Sequence, residues 1–228
     1  MTTYSRVQFL DRANITSSGI IIFHDFAFSI LIFILSFVMF ITYISLNYNN
    51  HIRLFKEYSF NTLEIIWTIF PALILLALRV PSFLIIYFLE REIKRDLTVK
   101  AVRHQWFWSY ERDDLVSFDF DSYIKQDDSL NIRDSRVLEV DNSLVLPIIT
   151  KIRIIITSTD VLHSWALPSI CLKIDAIPRR LNTINIISIY PGSFFRQCSE
   201  ICRINHSFIP IHVEFVRWND YLKSLTNL

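Results

Sequence analysis

The chain has 228 residues, of which 52% are hydrophobic and 20% charged, and its formal net charge is +1. This length accommodates one globular domain together with a membrane element, and the hydrophobic fraction exceeds the average of soluble proteins. A nearly neutral chain lacks the basic excess typical of nucleic-acid-binding proteins, so no nucleic-acid partner is expected.

Two long apolar segments near the N-terminus predict a pair of transmembrane helices. The first segment, residues 26–46, contains no charged residue. The second segment, residues 65–89, is interrupted only by Thr68, Pro71, Arg79, Pro81 and Ser82. About 20 apolar residues in a helix cross the hydrocarbon core of a bilayer. A buried core helix is the alternative for either segment alone, whereas two such segments in tandem favour two spans.

The polar residues around these segments predict the topology. The connecting loop, residues 47–63, carries Arg53 and Lys56 against Glu57. A positive excess favours the side of the membrane on which the protein is made, so both termini are expected on the other side. The first 19 residues contain no apolar run typical of a cleavable signal. We therefore expect the first span to act as its own insertion signal.

From about residue 91 the pattern changes to short runs rich in β-branched and aromatic residues, separated by turn residues. Such strands at this spacing are typical of an all-β sandwich or barrel. The runs that predict strands are residues 97–110, 143–147, 151–157, 181–189 and 211–217. Trp106 and Trp108 are two apart in the first run, so they are expected to face the same side of one strand. Core packing is the ordinary role for both, and contact with a partner is the alternative.

Acidic residues are concentrated between Glu111 and Asp141, where the sequence has ten acidic and four basic residues. A solvated face is the ordinary explanation for any one of them. In a chain of nearly zero net charge, however, this local excess indicates a docking surface for a basic partner.

Two cysteines and two histidines form the most informative pattern of the chain. Cys198, Cys202 and His206 follow one another at intervals of four, and His163 lies in a separate upstream run. Two thiols and two imidazoles suit copper or zinc better than calcium or magnesium. Two copper ions sharing the thiolates, a tetrahedral zinc site and a disulfide between Cys198 and Cys202 all remain open from these four residues alone.

Several motifs in the same order resemble subunit 2 of the mitochondrial haem–copper cytochrome c oxidases. The motifs are Glu64-Ile-Ile-Trp67, His104-Gln-Trp106-Phe-Trp108, Leu138-Glu-Val-Asp141, Asp160-Val-Leu-His163-Ser-Trp165 and Gln197-Cys198-Ser-Glu200-Ile-Cys202. The resemblance implies a two-helix transmembrane hairpin, residues 1–91, followed by an all-β cupredoxin-like Greek-key barrel, residues 92–228. It also implies the mitochondrial inner membrane, with the barrel in the intermembrane space.

The resemblance implies a metal role for five residues. Cys198 and Cys202 would bridge the two ions of a dinuclear copper A centre, while His163 and His206 would each bind one ion. The backbone carbonyl of Glu200 would be a weak copper ligand. Its side chain would bind a magnesium ion shared with subunit 1.

The resemblance also implies a path for electrons and protons. Trp106 would receive the electron from cytochrome c, and Glu111 and Asp141 would form the docking face. Glu64 would lie at the mouth of a proton pathway in subunit 1. Electrons would pass to the haem-bearing subunit 1 for oxygen reduction coupled to proton pumping. The expected partners are cytochrome c, oxidase subunits 1 and 3 and membrane lipid.

The sequence departs from the family pattern at several positions. Ile209 stands where the family places an axial methionine, and Cys171, an expected non-ligand, replaces a glycine. Arginine replaces glycine at five positions, namely Arg103, Arg133, Arg179, Arg196 and Arg203. Some animal mitochondria read AGA and AGG as glycine and AUA as methionine. Our hypothesis is that such a code restores five glycines and a methionine at position 209; the alternative is genuine divergence with an altered copper site.

Two rival functions belong to other classes. One is a copper-free structural subunit, similar to those of quinol-oxidising relatives. The other is a zinc-stabilised, membrane-anchored binding domain. The joint presence of His163, Cys198, Cys202 and His206 argues against the copper-free subunit.

Overall fold

The structure is a computed structural model, and it describes residues 13–47, 61–90, 94–112, 117–132, 134–203 and 206–226. The chain divides into two compact units. One unit comprises Gly19–Phe88, and the other combines the residues before and after that segment. The predicted boundary between residues 91 and 92 lies outside the described residues and stays a prediction.

Most of helix α1, Ile15–Asn47, and of helix α2, Asn61–Glu90, forms the first unit, and the two helices contain both predicted spans. Their membrane-spanning candidates, Ser17–Asn47 and Asn61–Leu89, have mean hydropathies of 2.5 and 2.3. Most of their large apolar side chains are exposed, as expected for helices that face lipid. Both helices extend beyond the predicted ranges. The loop that carried the topology prediction lies mostly outside the described residues, so that prediction remains untested.

Two interruptions within α2 do not end the helix. Pro71 and Pro81 both lie inside it. The guanidinium carbon of Arg79 lies 5.0 Å from the ring centroid of Phe83, one turn further along. A charged side chain within a span costs roughly 2.5–3.5 kcal/mol on insertion scales, and contact with an aromatic face offsets part of that cost.

The second unit is an all-β domain of ten strands followed by a short helix, α3, Trp218–Thr226. The strands are β1 Leu97–His104, β2 Phe107–Arg112, β3 Phe118–Ser122, β4 Leu144–Pro147, β5 Ile152–Ser158, β6 His163–Leu167, β7 Leu172–Ala176, β8 Asn182–Ile186, β9 Gly192–Gln197 and β10 Pro210–Val216. They form a five-stranded sheet in the order β3-β2-β1-β5-β8, a three-stranded sheet β4-β10-β9 and a β6-β7 pair. Helices followed by a β-sheet domain confirm the predicted fold class.

The core of this domain follows from alternation along the strands. In β5, Ile152, Ile154 and Ile156 are buried while the residues between them are partly exposed. Full burial of each such side chain contributes about 1.5–3 kcal/mol. The adjacent strand β1 runs parallel to β5 and aligns Leu97 with Ile152. The buried face of this sheet is therefore continuous across neighbouring strands.

Four of the five predicted strands are confirmed with small shifts at their ends, but the first prediction is wrong. Residues 97–110 form a hairpin, β1 and β2, with Gln105 and Trp106 in the turn. Trp106 is 40% exposed, whereas Trp108 is completely buried in β2. The two tryptophans therefore do not share a face, because strand alternation does not continue through a turn.

The residues that precede α1 belong to the β domain. The amide of Ala13 donates to the carbonyl of Ser169 at 3.1 Å, and the amide of Ile189 donates to the carbonyl of Ala13 at 2.8 Å. Asn14 and Ser17 are also buried there. These hydrogen bonds attach Ala13 to the segments that follow β6 and β8.

Candidate metal centre

The four predicted metal ligands come from three neighbouring parts of the β domain. His163 is the first residue of β6, and Cys198 directly follows β9. His206 opens a short 3₁₀ turn before β10. The amide of Cys198 donates to the carbonyl of Ile209 at 3.0 Å, which joins the two ends of the cysteine loop. Strand ends thus hold the ligands on a rigid scaffold.

The sulfur and nitrogen atoms of these residues converge. The ligand atoms of His163, Cys198 and Cys202 lie within 4.8 Å of one another, and all three residues are buried. Nδ1 of His163 is 3.9 Å from Sγ of Cys198. Nδ1 of His206 is 3.4 Å from Sγ of Cys202. One imidazole therefore lies beside each thiol.

In this cluster, metal binding requires displacement of thiol protons, while the His163 imidazole is already favoured in its neutral form. Cys198 and Cys202 are both free thiols. Burial, together with the neighbouring Cys198, raises the pKa of Cys202 to about 11. Burial also lowers the pKa of His163, although Asp160 offsets part of that effect. A neutral imidazole has a free lone pair, and a metal ion that displaces the thiol protons gains two thiolate ligands.

Glu200 lies beside the cluster through both its backbone and its side chain. Its carbonyl oxygen is 3.4 Å from Sγ of Cys198. Its carboxylate is partly exposed and lies 3.9 Å from Nζ of Lys173. A carboxylate oxygen of this kind suits a hard cation such as magnesium.

Ile209 is completely buried next to the cysteine loop. Its backbone accepts the hydrogen bond from Cys198, but its side chain is a hydrocarbon without a donor atom. The residue therefore contributes packing and no metal ligand.

The remaining predicted site residues lie on other elements of the chain. Trp106 is at the β1–β2 turn. Glu111, in β2, pairs with Nζ of Lys100 at 2.7 Å. Asp141 accepts from the amides of Tyr123 and Asn142, each at 2.7 Å, so its carboxylate also holds a turn. Glu64 lies in the first turn of α2, in the helical unit.

Sequence patterns did not identify two residues near the centre as contributors. Oδ1 of Asp160 is 2.9 Å from Nε2 of His163, and an acid three residues before a candidate ligand is the signal that could have found it. Arg103 is completely buried. Burial lowers its pKa to about 10, while the nearby groups of Cys198 and Cys202 act in the opposite direction. A cation therefore lies close to the thiols.

Three residues at presumed glycine positions adopt the left-handed backbone conformation. Cys171 has φ 54°, Arg179 φ 63° and Arg203 φ 86°. Glycine adopts this region without steric cost, whereas residues with a β-carbon do not. Arg196, by contrast, is an exposed residue of β9 with ordinary backbone geometry. Arg133 lies outside the described residues.

Comparisons with known proteins agree over the whole chain. The family model described as cytochrome c oxidase subunit II, periplasmic domain, matches residues 97–216. The model for the transmembrane domain of the same subunit matches residues 2–85. Together these matches include helix α1, most of helix α2 and all ten strands.

Individual relatives extend this agreement. Cytochrome c oxidase subunit 2 of Drosophila yakuba is 40% identical over 227 residues, which is 100% of this chain and 99% of the relative. The Drosophila melanogaster protein has the same identity and coverage. A crystal structure of the periplasmic domain of subunit II of cytochrome oxidase from Bradyrhizobium japonicum is 41% identical, with a TM-score of 0.55, and covers 59% of this chain and 94% of that domain. The chain therefore belongs to the cytochrome c oxidase subunit II family, whose members are subunits of an oxidoreductase complex.

Proposed function

We propose that this chain is the electron-transfer subunit of a cytochrome c oxidase. It accepts electrons from cytochrome c at a dinuclear copper A centre and passes them to the haem-bearing subunit 1. Oxygen reduction, coupled to proton pumping, takes place in subunit 1. The observation that carries this proposal is the convergence of two thiols and two imidazoles in a chain of this family.

The donor set fits a pair of copper ions. Cys198, Cys202, His163 and His206 would together hold the two ions. When bound, two coppers supply a one-electron redox couple that both metals share. The buried thiols and the buried ring of His163 keep water away from the ligands. Strands β6, β9 and β10 hold the ligand atoms in place, which limits the rearrangement that accompanies electron transfer.

The exposed features of the domain support a docking role. Trp106 offers an exposed aromatic ring for the incoming electron. Glu111 and Asp141 belong to an acidic segment that attracts a basic partner and steers its approach. A salt-dependent rate of electron transfer is the consequence, because salt screens exposed charges beyond about 10 Å.

The remaining roles depend on neighbouring subunits. Glu200 would bind a magnesium ion shared with subunit 1, and Glu64 would lie at the mouth of a proton pathway in that subunit. The two apolar helices anchor the chain in lipid beside subunits 1 and 3. The site of action is the mitochondrial inner membrane, with the β domain in the intermembrane space.

Copper loading of the full chain in lipid nanodiscs tests this proposal. A mixed-valence species with one electron delocalised over two copper nuclei is expected in the electron paramagnetic resonance spectrum. Cys198→Ser is expected to abolish that signal, whereas the matched control Cys171→Ser should leave it unchanged. A zinc-stabilised binding domain would give no such signal, and a copper-free structural subunit would retain no metal. Either result refutes the proposal.

Electron arrival at Trp106 has a separate test. Trp106→Ala should slow reduction by cytochrome c while leaving the copper spectrum unchanged. A variant that reacts at the parental rate would exclude Trp106 as the electron acceptor.

A further inference from the structure

We propose that Asp160 is a positioning residue of the metal centre. It determines which nitrogen of His163 faces the thiols, and it makes the His163 imidazole a stronger donor than the His206 imidazole. The choice of nitrogen concerns the protein alone, whereas the difference in donor strength rests on the proposed copper function.

The hydrogen bond between Asp160 and His163 sets the tautomer. Oδ1 of Asp160 lies 2.9 Å from Nε2 of His163. An ionised carboxylate only accepts hydrogen bonds, so Nε2 must carry the proton. The lone pair of the neutral ring is then on Nδ1. This is the nitrogen that faces Sγ of Cys198, at 3.9 Å.

The carboxylate of Asp160 is itself held by a backbone donor and a neighbouring hydroxyl. The amide of Val161 donates to Oδ1 at 2.6 Å. The hydroxyl of Ser158 lies 3.0 Å from the same oxygen and 2.7 Å from the carbonyl of Val161, so it shares its one proton between these two acceptors. The amide of Asp160 in turn donates to the Ser158 hydroxyl at 3.3 Å. Ser158 is buried at the end of β5. A short hydrogen-bond network therefore connects the imidazole of His163 to the five-stranded sheet.

The second imidazole has a different environment. His206 is partly exposed, and its Nδ1 lies beside Cys202. Within the described part of the chain, no carboxylate lies within hydrogen-bonding distance of His206. One histidine thus has a charge-assisted hydrogen bond and the other does not. A carboxylate on the distal nitrogen fixes the ring and raises its basicity as a ligand.

Three substitutions separate the contributions of Asp160. Asp160→Ala removes both the charge and the acceptor. Asp160→Asn retains an acceptor oxygen for Nε2 but removes the charge. Ser158→Ala leaves the carboxylate in place and removes one of its supports. Asp128→Ala is the matched control, because Asp128 is an exposed acid on a distant 3₁₀ turn.

The first readout needs no metal. Nitrogen-15 chemical shifts of His163 in the metal-free full chain, in nanodiscs, should show protonation at Nε2. This preference should be lost in Asp160→Ala and retained in Asp160→Asn and Asp128→Ala. A parental chain protonated at Nδ1, or an Asp160→Ala variant with an unchanged tautomer, would overturn the assignment, whatever metal the site takes.

The second readout is copper affinity, measured by competition with a chelator. Asp160→Ala should weaken binding by about 10–100-fold, Asp160→Asn and Ser158→Ala should weaken it less, and Asp128→Ala should leave it unchanged. Pulsed resonance should show unequal nitrogen couplings from the two histidines that become more alike in Asp160→Ala. If Asp160→Ala had the copper affinity and the nitrogen couplings of the parental chain, the proposed difference in donor strength would be refuted. A parental chain that binds no copper would refute this difference together with the proposed function, but not the tautomer.

Discussion

Replacing Arg179 with glycine is expected to stabilise the β domain by about 1 kcal/mol. The amide of Arg180 donates to the carbonyl of Ile177 at 3.2 Å, so residues 177–180 form a β-turn. Pro178 and Arg179 are its central residues, and Arg179 has φ 63°. A turn with proline second and positive φ third is the type II pattern, which favours glycine at the third position.

The magnitude follows from two opposing contributions. A β-carbon in the left-handed region costs roughly 1–2 kcal/mol. Glycine loses more backbone entropy on folding than arginine does, and this loss cancels roughly 0.5–1 kcal/mol of the stabilisation. Arg179 is exposed, so its side chain contributes little packing that the substitution would remove. The expected increase of about 1 kcal/mol corresponds to a rise in melting temperature of about 3 °C.

Thermal unfolding of the full chain in detergent, followed by near-ultraviolet circular dichroism, measures this effect. The signal reports the β domain, since Trp108 and Trp165 are both fully buried there. Arg180→Gly is the matched control: the same substitution, one residue along, at an exposed position without positive φ. Arg180→Gly should lower the free energy of unfolding by up to about 1 kcal/mol. An Arg179→Gly variant that is no more stable than the parent would refute the reasoning from the turn.

Three further substitutions follow from the same structure. Burial lowers the pKa of Arg103 to about 10, so the enclosed guanidinium charge opposes folding. Arg103→Met removes this charge and keeps most of the buried volume, although it loses the contact with Trp108; it should raise the free energy of unfolding by about 1 kcal/mol in denaturant titrations, and a loss of stability would contradict this. Ile209→Met adds a thioether donor beside the cysteine loop and should shift the reduction potential by roughly tens of millivolts in a redox titration, where about 59 mV corresponds to a tenfold change in the preference for one oxidation state; the core control Ile211→Met should leave the potential unchanged. Burial lowers the pKa of His212, partly offset by Glu214 and Glu139, so the unfolded state binds more protons below about pH 6.5 and stability should fall as pH falls. His212→Val should flatten that fall in unfolding midpoints measured between pH 7.5 and pH 5, and an unchanged slope would count against it.

The sequence predicted the features that depend on local pattern. The two spans follow from long apolar runs, and the selection of His163, Cys198, Cys202 and His206 as candidate metal ligands follows from residue type and spacing. Burial confirms that strand alternation also holds in β5, where every second isoleucine faces the core. These signals need no knowledge of distant contacts.

The predictions that failed concern features that depend on turns and on long-range packing. His104-Gln105-Trp106-Phe107 contains no glycine, proline, asparagine or aspartate, so nothing local marks the turn that separates β1 from β2. Arg103 illustrates the other limit. Alternation from Leu97 through Val99 and Ala101 places it on the inward face, but an arginine ordinarily argues for the surface. Only the packing of the strands shows that its guanidinium is enclosed near the thiols.

The identity of the unusual arginines can be decided by peptide mass spectrometry of the natural protein. Positive φ favours glycine at positions 179 and 203, and burial of the side chain favours an uncharged residue at position 103. No such reason exists at position 196. Selection against strained arginines would therefore leave Arg196 in place, whereas a codon reassignment would replace it with glycine.

We therefore expect glycine at all five positions and methionine at 209. Glycine at Arg179 and Arg203 with arginine at Arg196 would instead indicate selection on individual residues. Arginine at every position would mean that the chain tolerates roughly 1–2 kcal/mol of backbone cost at each left-handed site beside an altered metal centre.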